Sequence, residues 1–106
     1  MDRSEVLILL SVTKYQNQFG VWEKTITERK VFCQVDSVTR AEFFEAGRNG
    51  LNPEFRFTLF SPDYKGEESC VYKGKSYSIY RTYHARTDEI ELYVERKGGT
   101  NGQAEI

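Results

Sequence analysis

The chain has 106 residues, the length of about one domain. With 39% apolar and 29% charged residues it has the balance of a globular chain rather than a disordered one, and at this size folding buries roughly 65% of the unfolded surface, enough for one modest core. Its 15 basic and 16 acidic residues leave a formal charge of -1, which argues against holding nucleic acid or an anionic membrane by bulk charge, and one histidine with two cysteines nearly excludes metal clusters and disulfide scaffolds.

The dominant hydrophobic period is two. Val6, Ile8, Leu10 and Val12 alternate in the first run, and Leu7 and Leu9 make its other face apolar too. Val6 to Leu10 is also the longest apolar run. It falls far short of the roughly 20 residues of a membrane span, and it follows Asp2 and Glu5 without a small-residue cleavage site, a poor signal peptide. The expectation is a chain made and assembled in a cytoplasm. The polar stretch from Tyr15 to Glu28, with Gly20, reads as a hairpin tip before a second run carrying Val31, Cys33 and Val35 on one face.

One segment breaks the period. Thr39-Arg40-Ala41-Glu42 is a capping box, in which the Thr39 hydroxyl accepts from the Glu42 amide while Glu42 reaches back. Val38 and Phe43 fit a hydrophobic staple around it, and Gly47 suits the left-handed residue that ends a helix. A two-turn helix over Arg40 to Ala46 follows, inside an insertion spanning residues 38–53. A helix this short is marginal in water, so it needs a docking surface, on its own barrel or on another subunit.

Period two then resumes with Phe55, Phe57 and Leu59, interleaved with Arg56 and Thr58. Tyr77, Ile79 and Tyr83 share the next face, with Arg81 as a polar exception, and Ile90, Leu92 and Val94 share the last, against Glu89, Glu91 and Glu95 outside. Tyr72 to Ser76 resembles a three-residue hairpin loop with Gly74 near a left-handed position, placing Val71 beside Tyr77. A turn centred on Arg86-Thr87 pairs Tyr83 with Ile90, Arg81 with Leu92, Ile79 with Val94 and Tyr80 with Tyr93. The stretch from Ser69 to Arg96 therefore reads as a three-stranded meander. Short alternating strands with turns between them predict a mainly β fold: a small antiparallel β-barrel with a short helix or loop insertion, occupying residues 1–97 as one domain. Residues 98–106, rich in glycine and polar residues, read as a flexible tail.

Catalytic constellations are hard to build from this composition. His84 falls opposite Glu89 in the register above, a possible base and orienter but more simply an exposed cross-strand contact. Cys33, on the core face, is an inert thiol away from an outward His84. The acidic groups Glu67-Glu68 and Asp88-Glu89-Glu91 lack calcium-loop spacing and read as solvated surface. Gly47-Arg48-Asn49-Gly50 matches the G-x-x-G loop of KH domains, but it leads into a strand rather than a second helix, and helix-ending chemistry explains both glycines. The expectation is a chain with no catalytic residue, metal or cofactor, and not an enzyme.

The aromatics that the pattern turns outward are more informative. Tyr80 and Tyr93 pair on the face away from Ile79 and Val94, and Tyr72, Phe44 and Trp22 are further candidates for exposure. They could stack bases, as in single-strand-binding barrels, but Glu89, Glu91 and Glu95 are their neighbours, and burial against other proteins fits better.

A long stretch resembles the phage head–tail joining family, the head-closure or stopper proteins of long-tailed phages. It covers roughly residues 5–96: Val31-Phe32-Cys33-Gln34-Val35-Asp36-Ser37-Val38 running into Thr39 to Gly47, then Leu51 to Phe57, Val71 to Arg81, and Thr87 to Leu92. The resemblance implies a small β-barrel that forms a ring below the portal and adaptor, helps to retain packaged DNA and presents a docking surface for the tail. Its implied partners are the portal and adaptor proteins, tail proteins, further copies of itself in a dodecameric ring, and the packaged DNA without sequence specificity; no membrane is involved. Its implied place is the virion, at the head–tail interface. In the family a loop between barrel strands can hold the channel shut. The matching segment here, Val38 to Pro53, carries the capping box, so gate, subunit clamp and lid all stay open. For the ring contacts the candidates are Phe43, Phe44 and Leu51 as anchors, with Arg40 and Arg48 at the rim, and the Tyr80/Tyr93 face as a second patch; the alternative is that Phe43 and Phe44 cap their own barrel. Two other functions remain: a small single-stranded nucleic-acid-binding barrel, and a tail-side component with the same barrel.

Overall fold

In the computed structural model, which describes residues 4–97, the alternating runs become six antiparallel strands: β1 Glu5–Gln16, β2 Trp22–Asp36, β3 Pro53–Phe60, β4 Ser69–Tyr72, β5 Lys75–Arg86 and β6 Glu89–Arg96. A helix, α1 Arg40–Arg48, joins β2 to β3, and a short 3-10 turn, Ser61–Asp63, follows β3. The sheet closes in the order β1-β2-β3-β6-β5-β4. This is the predicted antiparallel barrel with one short helix inserted between strands, and β4, β5 and β6 are the predicted meander. The segment read as a flexible tail, 98–106, lies outside the described residues.

Alternation places the core. Leu7, Leu9, Val31, Cys33, Phe57, Leu59, Cys70, Tyr72, Tyr77, Ile90, Leu92 and Val94 form one buried cluster, fed by all six strands. Of the two apolar faces of β1, the Leu7/Leu9 face points inward, while Val6 and Val12 stay exposed. Phe55 and Phe57 meet Tyr72 edge to face, with ring centroids 5.7 and 5.2 Å apart. Tyr72 is thus a buried core residue, contrary to the expectation of an exposed ring. Its hydroxyl donates to Glu5 Oε1 at 3.1 Å, which satisfies the one polar atom the ring carries inward.

The hairpin registers differ from the sequence arithmetic at both turns. Lys73 and Gly74 both have positive φ, 51° and 78°, so β4 and β5 are joined by a two-residue turn of the kind that matches strand twist. Tyr77 consequently faces Cys70 rather than Val71. Between β5 and β6 the turn is Thr87-Asp88, and two extra residues on β5 restore the pairing further down. Arg86 faces Glu89 and His84 faces Ile90; Ala85 is extra between them. Arg81 faces Tyr93 and Ile79 faces Val94; Tyr80 is extra there. His84 is therefore not opposite Glu89. Tyr83, placed on the core face by parity, is exposed near the hairpin tip. The bulge at Tyr80 also explains Arg81: one inserted residue flips the parity of the strand and turns the arginine outward.

The stretch read as a tip between Tyr15 and Glu28 is mostly strand. β1 and β2 pair without interruption from Glu5↔Cys33 to Gln16↔Trp22, whereas β1 meets β4 only from Ile8 to Leu10 and β2 meets β3 only from Cys33 to Asp36. Beyond these contacts the two strands continue as a ribbon past the barrel, and the molecule measures 49 × 31 × 23 Å. The tip itself is short. The Asn17 side-chain oxygen accepts from the Phe19 and Val21 amides at 2.9 and 3.1 Å, and Gly20 takes the positive φ the turn requires. The base of the ribbon is held by Glu67, which receives Arg29 Nη2 at 2.5 Å and the Lys65 amide at 2.9 Å. Burial alone would raise the Glu67 carboxyl; its bonds to Arg29 and to backbone amides outweigh that and hold it below the usual carboxylate value.

Candidate interaction surface

The insertion is built as half of a capping box. Thr39 accepts from the Glu42 amide at 3.1 Å, satisfying one orphan amide of the first turn. The Glu42 carboxylate, however, does not reach back to the cap. It bridges to β5, accepting from the Tyr80 hydroxyl at 2.7 Å and from Arg81 Nη2 at 2.5 Å. Burial would raise this carboxyl, but the hydrogen bonds from Arg81 and Tyr80 and the arginine charge prevail and keep it low. Burial, followed by the adjacent Glu42 carboxylate, pushes the Tyr80 phenol well up. The helix is therefore pinned to the outside of the barrel by an ionised carboxylate and a neutral phenol.

At its other end the helix runs two residues further than predicted. Gly47 lies within it, and Gly50, at φ 79°, supplies the left-handed residue. The Gly50 amide donates to Gly47 O at 3.1 Å and the Leu51 amide to Ala46 O at 3.1 Å, the paired bonds of a Schellman ending. Of the two glycines in the G-x-x-G string, only Gly50 is explained by helix termination.

The candidate residues separate into two groups. Phe43 and Phe44 are 48% and 56% exposed and touch each other edge to face, centroids 5.9 Å apart; neither caps the barrel. Arg40 and Arg48 are exposed on the same helix, Arg48 reaching Glu45 at 3.4 Å, and Leu51 is half-buried. Tyr80 and Tyr93, by contrast, are not an open patch. Tyr93 is 7% exposed, with the Arg81 guanidinium 4.0 Å above its ring, Tyr80 at 6.5 Å, and its hydroxyl donating to Glu91 at 2.7 Å. The two patches expected at separate contacts are joined: Glu42 of the insertion bonds Tyr80 and Arg81, and Arg81 in turn covers the Tyr93 ring.

The ribbon was missed as a surface. Trp22 is 67% exposed and shares one side with Lys14, Lys24, Val12 and Ile26, since Gln16↔Trp22, Lys14↔Lys24 and Val12↔Ile26 are cross-strand pairs of like parity. The signal was present in Trp22-Glu23-Lys24-Thr25-Ile26-Thr27, which is rich in β-branched residues.

Other candidate chemistry is not assembled. Among the described residues no group of three or more His, Cys, Asp or Glu side chains is placed to hold a metal ion. His84 stands exposed on β5. Cys33 and Cys70 are free, fully buried thiols that burial pushes up to about 12. No helix among the described residues is long and apolar enough to cross a membrane. Comparison with protein-family models finds no match, and neither does comparison with curated proteins.

Proposed function

We propose that this chain is a structural head–tail connector of a long-tailed phage, assembling as a ring below the portal and adaptor that closes the DNA channel and offers the tail its attachment surface. The reading rests on the family resemblance of residues 5–96, and one observation carries it: a helix anchored to the barrel wall by Glu42 holds Phe43 and Phe44 out in solvent. Aromatic side chains bury large areas and are common anchors of protein interfaces, and a short helix fixed on its own barrel presents them at little ordering cost. The insertion is thus a clamp on a neighbouring subunit, with Arg40 and Arg48 at the rim. The charge of -1 suits a ring through which DNA must slide, because a strongly basic lining would hold phosphates.

The test is electron microscopy of heads made without this chain. Heads that fill and then leak are expected; heads that keep their DNA and join tails normally would overturn the proposal. The interface assignment is tested separately by Phe43→Asp with Phe44→Asp, which should fold and fail to assemble on filled heads. Binding to preformed tails instead of filled heads would favour a tail-side component.

The second reading, a single-strand-binding barrel, draws on Trp22 beside Lys14 and Lys24. It requires binding of single strands at low salt that is lost steeply as salt rises.

A further inference from the structure

Where β2 leaves the barrel its outer edge is bare. One side of the strand pairs with β1, and β3 reaches only Cys33 to Asp36. From Trp22 to Lys30 the outward N–H and C=O groups have no strand partner among the described residues, over about 27 Å at roughly 3.4 Å per residue. Such an edge is a template for another strand. This one contains no proline or glycine and is centred on Thr25, Ile26 and Thr27.

The sequence of the edge is complementary to itself. Two copies set antiparallel, edge to edge, are related by a two-fold axis normal to the ribbon, which keeps each face on its own side and so pairs residues of like parity. An axis through Lys24 or Glu28 sets identical charges on each other. One through Thr27 opposes Lys24 and Lys30, and one through Thr25 opposes Lys24 and Ile26. The axis through Ile26 alone sorts everything. On the outer face Ile26 meets Ile26, Lys24 meets Glu28 and Trp22 meets Lys30. On the other face Glu23 meets Arg29 and Thr25 meets Thr27. The outer-face residues Trp22, Lys24, Ile26, Glu28 and Lys30 are all exposed, and Lys24, Glu28 and Lys30 have no ion-pair partner among the described residues. Glu23 already accepts from Tyr15 and Asn17 and Arg29 already holds Glu67, so Lys24 and Glu28 carry the complementarity. A guanidinium with five donors and a carboxylate with about four lone-pair sites can still add the Glu23–Arg29 contact.

We propose that the free chain forms a two-fold dimer through β2, edge to edge, centred on Ile26. The occupant of the edge is a second copy of this chain, because the charge order is complementary in that register and in no other with its axis between residues 24 and 28. An isologous contact closes on a pair, so it describes the chain outside any ring and stands or falls independently of the connector reading.

Sedimentation equilibrium of the full chain tests it. The parent should be dimeric at micromolar concentration. Lys24→Glu, which opposes Glu28 of the second copy twice, should weaken dimerisation about tenfold or more. Lys24→Glu combined with Glu28→Lys should restore it, which a mere folding defect could not do. Register is read by cross-linking. Ile26→Cys should form an intermolecular disulfide on mild oxidation, since residues on the axis lie about 5 Å apart. Lys24→Cys, about 14 Å from its mate by the strand rise, should not. A monomeric parent, a charge swap that fails to rescue, or equal cross-linking at both positions would each overturn the proposal; a monomeric parent whose edge captures a strand of another protein would do so as well.

Discussion

Glu42→Ala should release the helix while leaving the barrel intact. The carboxylate is 12% exposed and accepts two hydrogen bonds. A bond to a charged group contributes about 1.5–3 kcal/mol, but Arg81 is 44% exposed, and solvent screening reduces its share to about 1 kcal/mol. The Tyr80 phenol, half-buried and left without its acceptor, adds about 1 kcal/mol. At the third helical position a carboxylate also favours the helix dipole by about 0.3–1 kcal/mol. The sum, about 2–3 kcal/mol, exceeds what a nine-residue helix supplies alone, so the loss falls on docking. Hydrogen exchange is the assay. Amides of residues 43–51 should exchange some 30- to 160-fold faster at about 2–3 kcal/mol, while those of Leu92 and Val94 keep their protection. Unchanged exchange across α1, or a uniform loss of protection over the whole barrel, would refute the assignment of Glu42 as the helix anchor.

Acid should act at the same place: the Glu42 and Glu67 carboxyls lie below their ordinary value of 4.5, so their stabilisation is fully present above that value and is lost as pH falls through the depressed folded values. Urea midpoints measured from pH 6 downward should show this decline, and Glu42→Gln should flatten part of it. Arg29→Ala strands the Glu67 carboxylate, whose side chain is 2% exposed, and should cost about 2 kcal/mol after screening at the arginine, a fall of roughly 10 °C in Tm by calorimetry. Gly74→Ala, at φ 78°, should cost about 1–2 kcal/mol in a urea titration because a Cβ opposes the left-handed turn. Cys33 and Cys70, with thiols pushed up to about 12, should resist alkylation at pH 8 until the barrel is unfolded, as read by mass spectrometry.

The barrel was legible wherever one face of a strand meets the core and the other does not. Phe57 and Leu59 against Arg56, and Leu92 and Val94 against Glu91, carry the inside–outside contrast in their order alone. The ribbon was not legible in the same way, because beyond Leu10 both of its faces meet solvent and polarity no longer has to alternate. The turns failed for a different reason. A lysine at φ 51° does not announce a two-residue turn as asparagine would, and Thr87-Asp88 competes with Arg86-Thr87 on nearly equal terms. Gly47 and Gly50 offered two ends for one helix. The later one prevails because Leu51 then donates to Ala46 O, a bond the shorter helix would forgo.

The polar exception on β5 deserved a structural cause, and the cause organises the surface. An arginine on a core face costs several kcal/mol if left unpaired, so its place in the pattern was itself a sign of an inserted residue. With Tyr80 as that residue, Tyr80 and Arg81 both lie outside the barrel. There they supply the two donors that the Glu42 carboxylate accepts, and Arg81 also covers the Tyr93 ring. The bulge therefore has two consequences at once: it keeps Ile79 opposite Val94 in the core register, and it builds the seat on which α1 rests. Phe43 and Phe44 follow Glu42 directly in sequence, so the contact that fixes Glu42 also fixes the direction in which the two rings face solvent. Their exposure is a consequence of how the barrel wall is made, rather than of a loop left without a place to pack.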